Sequence, residues 1–415
     1  MRVETQTEAD PDRRTTLVPP TTPVPRSVVP WWEDDLDPVV RAELHLPDIA
    51  DEGPPAQPLD VVVIGAGVAG LSAALSARRA GARVLVLERN ALIGCGTSGR
   101  NAGILSVGIN ADLTTLPSGH PALALWPATT EVLFSLVREA ALPDSLLSLR
   151  LTGSLSLAET ISGARNLARE VHLRLRMGLR AELWTPAQVA EATGGRLNVR
   201  TVYAALWLPD EARVHPLTLL AHLARRARRA GVELRGNAPV ISYEEVPLPG
   251  GASGWRLHLA NGCTLLTRGL ILAVGPGARP NARLYALAFR AELPPDFPVF
   301  GDALPYTYAD FRPGEGRLTV TGGRYGRAGV TRNDAHYHCR LKELTYRWLP
   351  ELAEQEPAYT WAVDLEVTPQ MVPELHPVGA VAPALAVEGL GALGMLPGMV
   401  LGERAGEQVA SAVSR

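Results

Sequence analysis

Residues Leu59 to Asn90 read LDVVVIGAGVAGLSAALSARRAGARVLVLERN: an apolar run, a glycine turn, a helix-patterned stretch and a second apolar run. Val68, Leu71, Ala74 and Leu75 fall near one helical face and Gly81 marks a stop, which predicts a βαβ unit. Gly65, Gly67 and Gly70 form a GxGxxG turn with Ala66, Val68 and Ala69 between them, and Glu88 closes the second strand just before Arg89. In such a turn the first glycine permits the tight bend, the second lets backbone approach a pyrophosphate, and the third lets the helix pack closely on the sheet. The helix N-terminus offers unpaired N–H groups to phosphates, and an acid at the end of the second strand accepts from ribose hydroxyls. Strand, turn, helix, strand and acid in register predict a dinucleotide site.

The stretch that follows, Ile93 to Leu105, reads IGCGTSGRNAGIL. A nicotinamide cofactor needs no special loop here. A flavin places its ring beyond the pyrophosphate and needs small hydrogen-bonding groups and close backbone approach, both of which this loop offers. The pattern therefore favours FAD over NAD.

Further out, TGSLSLAE reads as a strand, residues 161–177 as a helix and TPAQVAEATG as a short capped helix. VHPLTLLAHLARRARRAGVEL predicts a helix from Pro216 to Gly231 that feeds a strand. Asn261-Gly262 between two alternating runs predicts a tight hairpin, with a buried strand ending at Gly275. Residues 1–58 are rich in Pro, Thr and acids and read as a disordered arm; its segment PWWEDDLDPVVRAEL, Pro30 to Leu44, is expected to dock on the body or on a second subunit, which leaves a homo-oligomer open.

The 415-residue chain is 46% hydrophobic and 20% charged, an ordinary globular balance, and its net charge of -3 gives no reason to expect nucleic acid as a partner. Lys342 is the only lysine, and neither a phosphate-binding nor a Schiff-base role fits its position. Cys95, Cys263 and Cys339 lie far apart in no CxxC pattern, which argues against disulfides and metal clusters and fits a reducing cytoplasm. His336, His338 and Cys339 fall within a predicted helix where alternate residues diverge, so no metal is expected. No secretory signal is visible, and the longest apolar run, Val61 to Ala77, is broken by glycines, so no membrane span is expected.

GxGxxG, Glu88 and GTSGRNAG together resemble the D-amino-acid oxidase-type family of FAD-dependent oxidoreductases, the group containing glycine, sarcosine and gamma-glutamylputrescine oxidases. RVHPLTLL, RLTVTGG at Arg317 to Gly323, YTWAVDLEVTPQMVP with Trp361 and Thr368, and GMLPGMVLGERAGEQVA at Gly394 to Ala410 follow in family order, so the resemblance covers nearly all of Leu59 to Arg415. It implies an α/β fold with a Rossmann-like FAD-binding domain plus an α+β substrate domain with a mixed, largely antiparallel sheet. The expected division is an arm over 1–58, a discontinuous FAD-binding domain over 59–148, 209–280 and 355–415, and a substrate domain over 149–208 and 281–354.

FAD is expected to be non-covalent, since no cysteine or histidine matches the usual tether positions. Beside the fingerprint, Glu88 and Arg89, the resemblance implies contacts from Val240 to the adenine and from Ala273 and Gly275 to the pyrophosphate region. Thr97, Ser98, Arg100, Asn101, Ala102 and Gly103 would meet the ring side, and Gly394, Met395 and Leu396 its pyrimidine edge. There the positive end of the last helix favours negative charge.

The implied reaction is oxidation of a CH–NH bond in a small amine or amino acid, by hydride transfer to flavin N5, giving an imine. Tyr308, Arg324, Trp361 and Glu366 are the substrate-pocket candidates, with Tyr306 and Tyr325 beside them. Glycine-oxidase-like sequences place a carboxylate-binding arginine where Leu365 stands, which leaves Arg324 or Arg312 as substitutes. DLEVT instead resembles the putrescine-related oxidases, with Glu366 placed to pair with a cationic amine. Sarcosine-type oxidases carry a lysine where Leu396 stands, so the acceptor is oxygen or an electron carrier. The other reading is a flavin-binding electron-transfer subunit of a larger dehydrogenase complex, with Trp31 and Trp32 docking the partner.

Overall fold

The computed structural model describes residues 15–16, 28–34, 36–51, 58–275, 280–303 and 309–414, with Thr15, Thr16 and Arg324 described for their backbone alone. Leu59–Ile64 forms the expected strand and pairs in parallel with Val84–Leu87 on one side and Thr264–Leu272 on the other. Glu233–Arg235 continues the parallel run. Ser253–Leu259 and Val240–Pro247 extend the sheet antiparallel at its other end, with Thr15–Thr16 on that edge, while Ala384–Glu388 and Glu374–Pro377 form an offshoot, giving nine strands. The central strand is apolar from Val61 to Ile64 because both its faces are covered there. Val61 and Val63 face the helices, whereas Val62 and Ile64 pack with Trp255 and Leu257 on the opposite side.

The fingerprint helix, Val68–Arg79, lies against the closing helix, Met395–Val413. The two backbones almost touch: a Cβ on Gly402 would sit 2.2 Å from the Ala69 carbonyl oxygen, and one on Gly406 the same 2.2 Å from that of Ala73. Other local expectations are met. The helix 161–177 is observed as Ile161–Arg176, the helix after Thr185 carries a full capping box with Gln188, and the Pro216 helix runs to Arg229. Asn261 turns the hairpin by accepting from the Cys263 N–H.

A second sheet has eight strands in the order Tyr359–Leu365, Ala282–Arg290, Arg317–Arg327, Ala309–Gly314, Val299–Asp302, Ser154–Ala158, Ala204–Leu208 and Glu182–Trp184. Its pairs are antiparallel except Val299–Asp302 with Ser154–Ala158. This is the mixed, largely antiparallel sheet expected beside a Rossmann-like region. Tyr359–Leu365 pairs here although it follows residue 355, because its alternating residues complete the edge next to Ala282–Arg290. One face packs Tyr285, Leu287 and Phe289 against the helix Asp334–Trp348. The other turns Ala286, Ala288 and Trp361 into the same core as the fingerprint and closing helices.

Pro30–Glu33 and Pro38–Leu44 are short helices of the arm. Trp31 and Trp32 are 0% and 1% exposed, buried in the chain's own body. Arg225 and Arg228 bind Glu43 at 2.9 and 2.6 Å and hold the second arm helix to the Pro216 helix. Among the described residues no helix is long and apolar enough to cross a membrane, and no three His, Cys, Asp or Glu are grouped to hold a metal ion.

Candidate active site

The glycine turn is built from close approaches. Gly65 has φ +103 and passes so near the next strand that a Cβ would lie 2.5 Å from the Ala273 carbonyl oxygen. A Cβ on Gly70 would lie 1.9 Å from the Gly65 carbonyl oxygen, so the helix reaches this depth only without one. Glu88 secures the turn by accepting from the Ala66 N–H at 3.1 Å with one carboxylate oxygen and from the Asn90 backbone and side chain, each at 3.2 Å, with the other. Ala273 abuts the turn, Gly275 faces Thr97, and Val240 starts the strand after the segment bonded to Glu88 through Ala238.

The loop after the second strand folds as a single turn, Thr97–Arg100, organised by Asn101. The Asn101 amide nitrogen donates to the carbonyls of Ser98 at 2.6 Å and Thr97 at 3.2 Å, while its oxygen accepts from the Gly103 N–H at 2.7 Å. Much of the hydrogen-bonding capacity of Asn101 and Gly103 is thus spent inside the loop. The Ser98 hydroxyl accepts from the Val68 N–H at 3.2 Å, at the mouth of the fingerprint helix. Cys95 is buried behind the loop, its thiol pushed up to about 11 by burial and the charge of Glu88, so it is protonated at neutral pH and is no nucleophile.

This loop forms one wall of a cleft. Val68, Thr97, Ser98, Ala102, Gly394 and Met395 lie on one side, and Leu284, Ala286, Asp310, Thr321, Val363 and Leu365 on the other. The second wall is a product of sheet register. Trp361 pairs with Ala286, Ala286 with Thr321, and Thr321 with Asp310, which sets four side chains in a row across one face. Arg100 and Asp310 are the charged residues of the lining among those described. Burial lowers the Arg100 pKa, and the like charge of Arg283 adds to the effect.

The substrate candidates are distributed unevenly. Trp361 is 8% exposed and its indole N–H donates to the Arg100 carbonyl at 2.8 Å, so it holds the loop. Glu366 is half-buried and outside the cleft lining; its carbonyl accepts from the Gly391 N–H at 3.2 Å. Tyr325 accepts at 3.2 Å from Asn110, itself close to Gly391 of the lining. Burial raises the Tyr325 pKa, and the Asp310 carboxylate adds to this. Tyr306 and Tyr308 lie outside the described residues, as does the Arg324 side chain. Arg312 is no carboxylate clamp. It is 0% exposed, bound to Glu315 at 2.6 Å and stacked 5.3 Å from the Trp32 ring centroid.

Asp310, Thr321 and Asn110 were not singled out from the sequence. For Asp310 the signal was a lone acid in the run ADF beside apolar neighbours. Leu396 is 1% exposed, beneath the lining residues Gly394 and Met395.

Fold and cleft define a dinucleotide-binding oxidoreductase architecture in which a glycine turn and a sheet wall share one cavity. The chain belongs to the FAD dependent oxidoreductase family, whose profile matches residues 60–408. It is 25% identical over 423 residues to the tRNA 5-methylaminomethyl-2-thiouridine biosynthesis bifunctional protein of Verminephrobacter eiseniae, covering 84% of this chain and 60% of that protein. The chain thus spans less than two thirds of that curated relative's length. Glycine oxidase from Geobacillus kaustophilus matches in structure with a TM-score of 0.71 at 19% identity, over 87% of this chain and 95% of that one. L-proline dehydrogenase from P. horikoshii matches with a TM-score of 0.72 at 17% identity, over 86% and 94%. These structural likenesses establish the shared fold.

Proposed function

We propose that this FAD-dependent oxidoreductase oxidises a CH–NH bond of a small amine or amino acid, with FAD held non-covalently. The observation that carries the reading is the cleft walled on one side by the start of the fingerprint helix and its loop and on the other by Ala286, Thr321 and Asp310 of the register row. The residues present fit FAD: the glycine turn is a cradle that a Cβ on Gly67, 2.9 Å from the Ser98 hydroxyl, would obstruct. Gly65 to Gly70, Glu88 and Arg89 would hold the adenosine diphosphate portion with Val240, Ala273 and Gly275; Thr97 to Gly103 and Gly394 to Leu396 would hold the ring. When bound, FAD supplies the hydride acceptor for the carbon next to nitrogen.

The chain's part is to bind, orient and exclude water. Leu284, Val363 and Leu365 make the substrate wall apolar, which favours a bound neutral amine over its hydrated ammonium form. Asp310 is positioned to receive the ammonium on arrival and to hold a proton as the amine becomes neutral. Leu365 offers no charge to a substrate carboxylate, so an amino-acid substrate would rely on Arg100 of the lining. The structural relatives glycine oxidase and L-proline dehydrogenase support CH–NH donors and leave oxygen and an electron carrier both as acceptors. A cytoplasmic site of action is supported by three free thiols.

The electron-transfer-subunit reading was motivated by Trp31 and Trp32 as residues that dock a partner; both side chains are buried in the chain's own body, which favours the enzyme reading. Anaerobic mixing of the yellow protein with a panel of amines and amino acids tests the proposal. Bleaching of the visible absorbance with at least one of them is expected, and a protein that binds FAD yet bleaches with none would overturn it.

A further inference from the structure

We propose that Trp31 and Trp32 form a clasp through which the N-terminal arm sets the position of the loop Thr97–Gly103 against the substrate wall, with Trp32 as a positioning residue for bound FAD. The inference rests on the reading that this loop meets the flavin ring. Trp32 donates its indole N–H to the Asn101 carbonyl at 3.1 Å. Trp361, from the eight-stranded sheet, donates its own to the Arg100 carbonyl at 2.8 Å. Two indoles from segments far apart in sequence therefore grip consecutive carbonyls of one loop. Because Asn101 is also the side-chain hub that ties Thr97, Ser98 and Gly103 together, fixing its carbonyl fixes the whole turn.

Trp32 can act this way because it is itself immobilised. The Arg312 guanidinium lies 5.3 Å from its ring centroid and the His215 ring meets it edge-on at 5.0 Å. Trp31 anchors the pair to the substrate sheet. Its indole N–H donates to the Thr319 hydroxyl at 3.0 Å, Arg317 donates to its carbonyl and stacks 4.5 Å from its ring, and Tyr359 packs at 5.4 Å. Thr319 and Tyr359 each precede by two residues a member of the register row, Thr321 of the cleft lining and Trp361 beside it, and so share their strands. The arm thereby couples the loop wall to the substrate wall, with an indole N–H on each side.

The test is Trp32→Phe, which keeps an aromatic ring and removes the donor. Expected are a melting temperature of the FAD-free protein close to wild type, a Kd for FAD raised about three- to tenfold, and a shifted visible circular dichroism band of the bound flavin, since one buried hydrogen bond to the loop is lost. Trp32→Phe with unchanged Kd and unchanged flavin spectrum overturns the clasp. If Trp32→Phe does not fold, Thr319→Val, which removes only the hydrogen bond from the Trp31 indole to the substrate sheet, decides by the same two readouts with the same expected direction. A wild-type protein that binds no FAD overturns the site reading and the clasp together, whereas normal binding by wild type and variant alike overturns the clasp alone.

Discussion

His215 packs beside Trp32, and neither of its ring nitrogens has a hydrogen-bond partner among the described residues. Burial, reinforced by the positive charge of Arg312, lowers its pKa from 6.5 to about 4. In the unfolded chain the imidazole takes up its proton near pH 6.5, while the folded protein resists until about 4. Stability is therefore lost as pH falls through that window, by up to about 1.4 kcal/mol per unit. Buried Glu211 has its pKa raised and acts in the opposite sense, so wild type is best compared with His215→Phe. The variant should lose less stability than wild type between pH 6.5 and 4.5 in urea titrations, since the Glu211 contribution cancels. Asp310→Asn separates substrate from cofactor at the same scale: it should raise KM for a cationic amine about ten- to a hundredfold, the worth of a charge-assisted hydrogen bond, with FAD absorbance unchanged. Equal KM values would exclude Asp310 from amine binding.

At the scale of elements, the approach of the closing helix to the fingerprint helix is set by Gly402 and Gly406. Gly406→Val would drive its side chain into the Ala73 carbonyl and part the two helices, costing at least about 2 kcal/mol and several degrees of Tm. An unchanged Tm in calorimetry would show that the helices can separate freely. The βαβ unit, the Thr185 cap and the Asn261 hairpin were readable because period and turn chemistry are local properties. The GERAG spacing was readable as a helix, but the partner of its glycines was not, because Ala69 and Ala73 lie more than three hundred positions upstream. The substrate wall was hidden for a similar reason. Asp310 becomes a cleft residue only when strand register places it beside Thr321.

Across the molecule, one apolar core runs from Trp31 and Trp32 through Leu71 and Met399 to Ala288 and Trp361. A core shared by both sheets and the arm predicts one cooperative thermal transition. FAD present at about a hundred times its Kd should raise it by about 2.7 kcal/mol of added stability. Two resolved calorimetric peaks would show that the sheets unfold independently. The amino-acid sequence by itself determined the dinucleotide unit, the preference for a flavin-type loop, the main helices and hairpin, and membership of an oxidoreductase family. These depend on residues near one another in the chain, whose spacing is the signal. Only the tertiary structure decided that Arg312 is buried beneath Trp32, that Trp361 grips the loop, and that the paired tryptophans turn inward. Each of those outcomes depends on which distant surfaces exclude water together, and burial of that kind has no period along the chain.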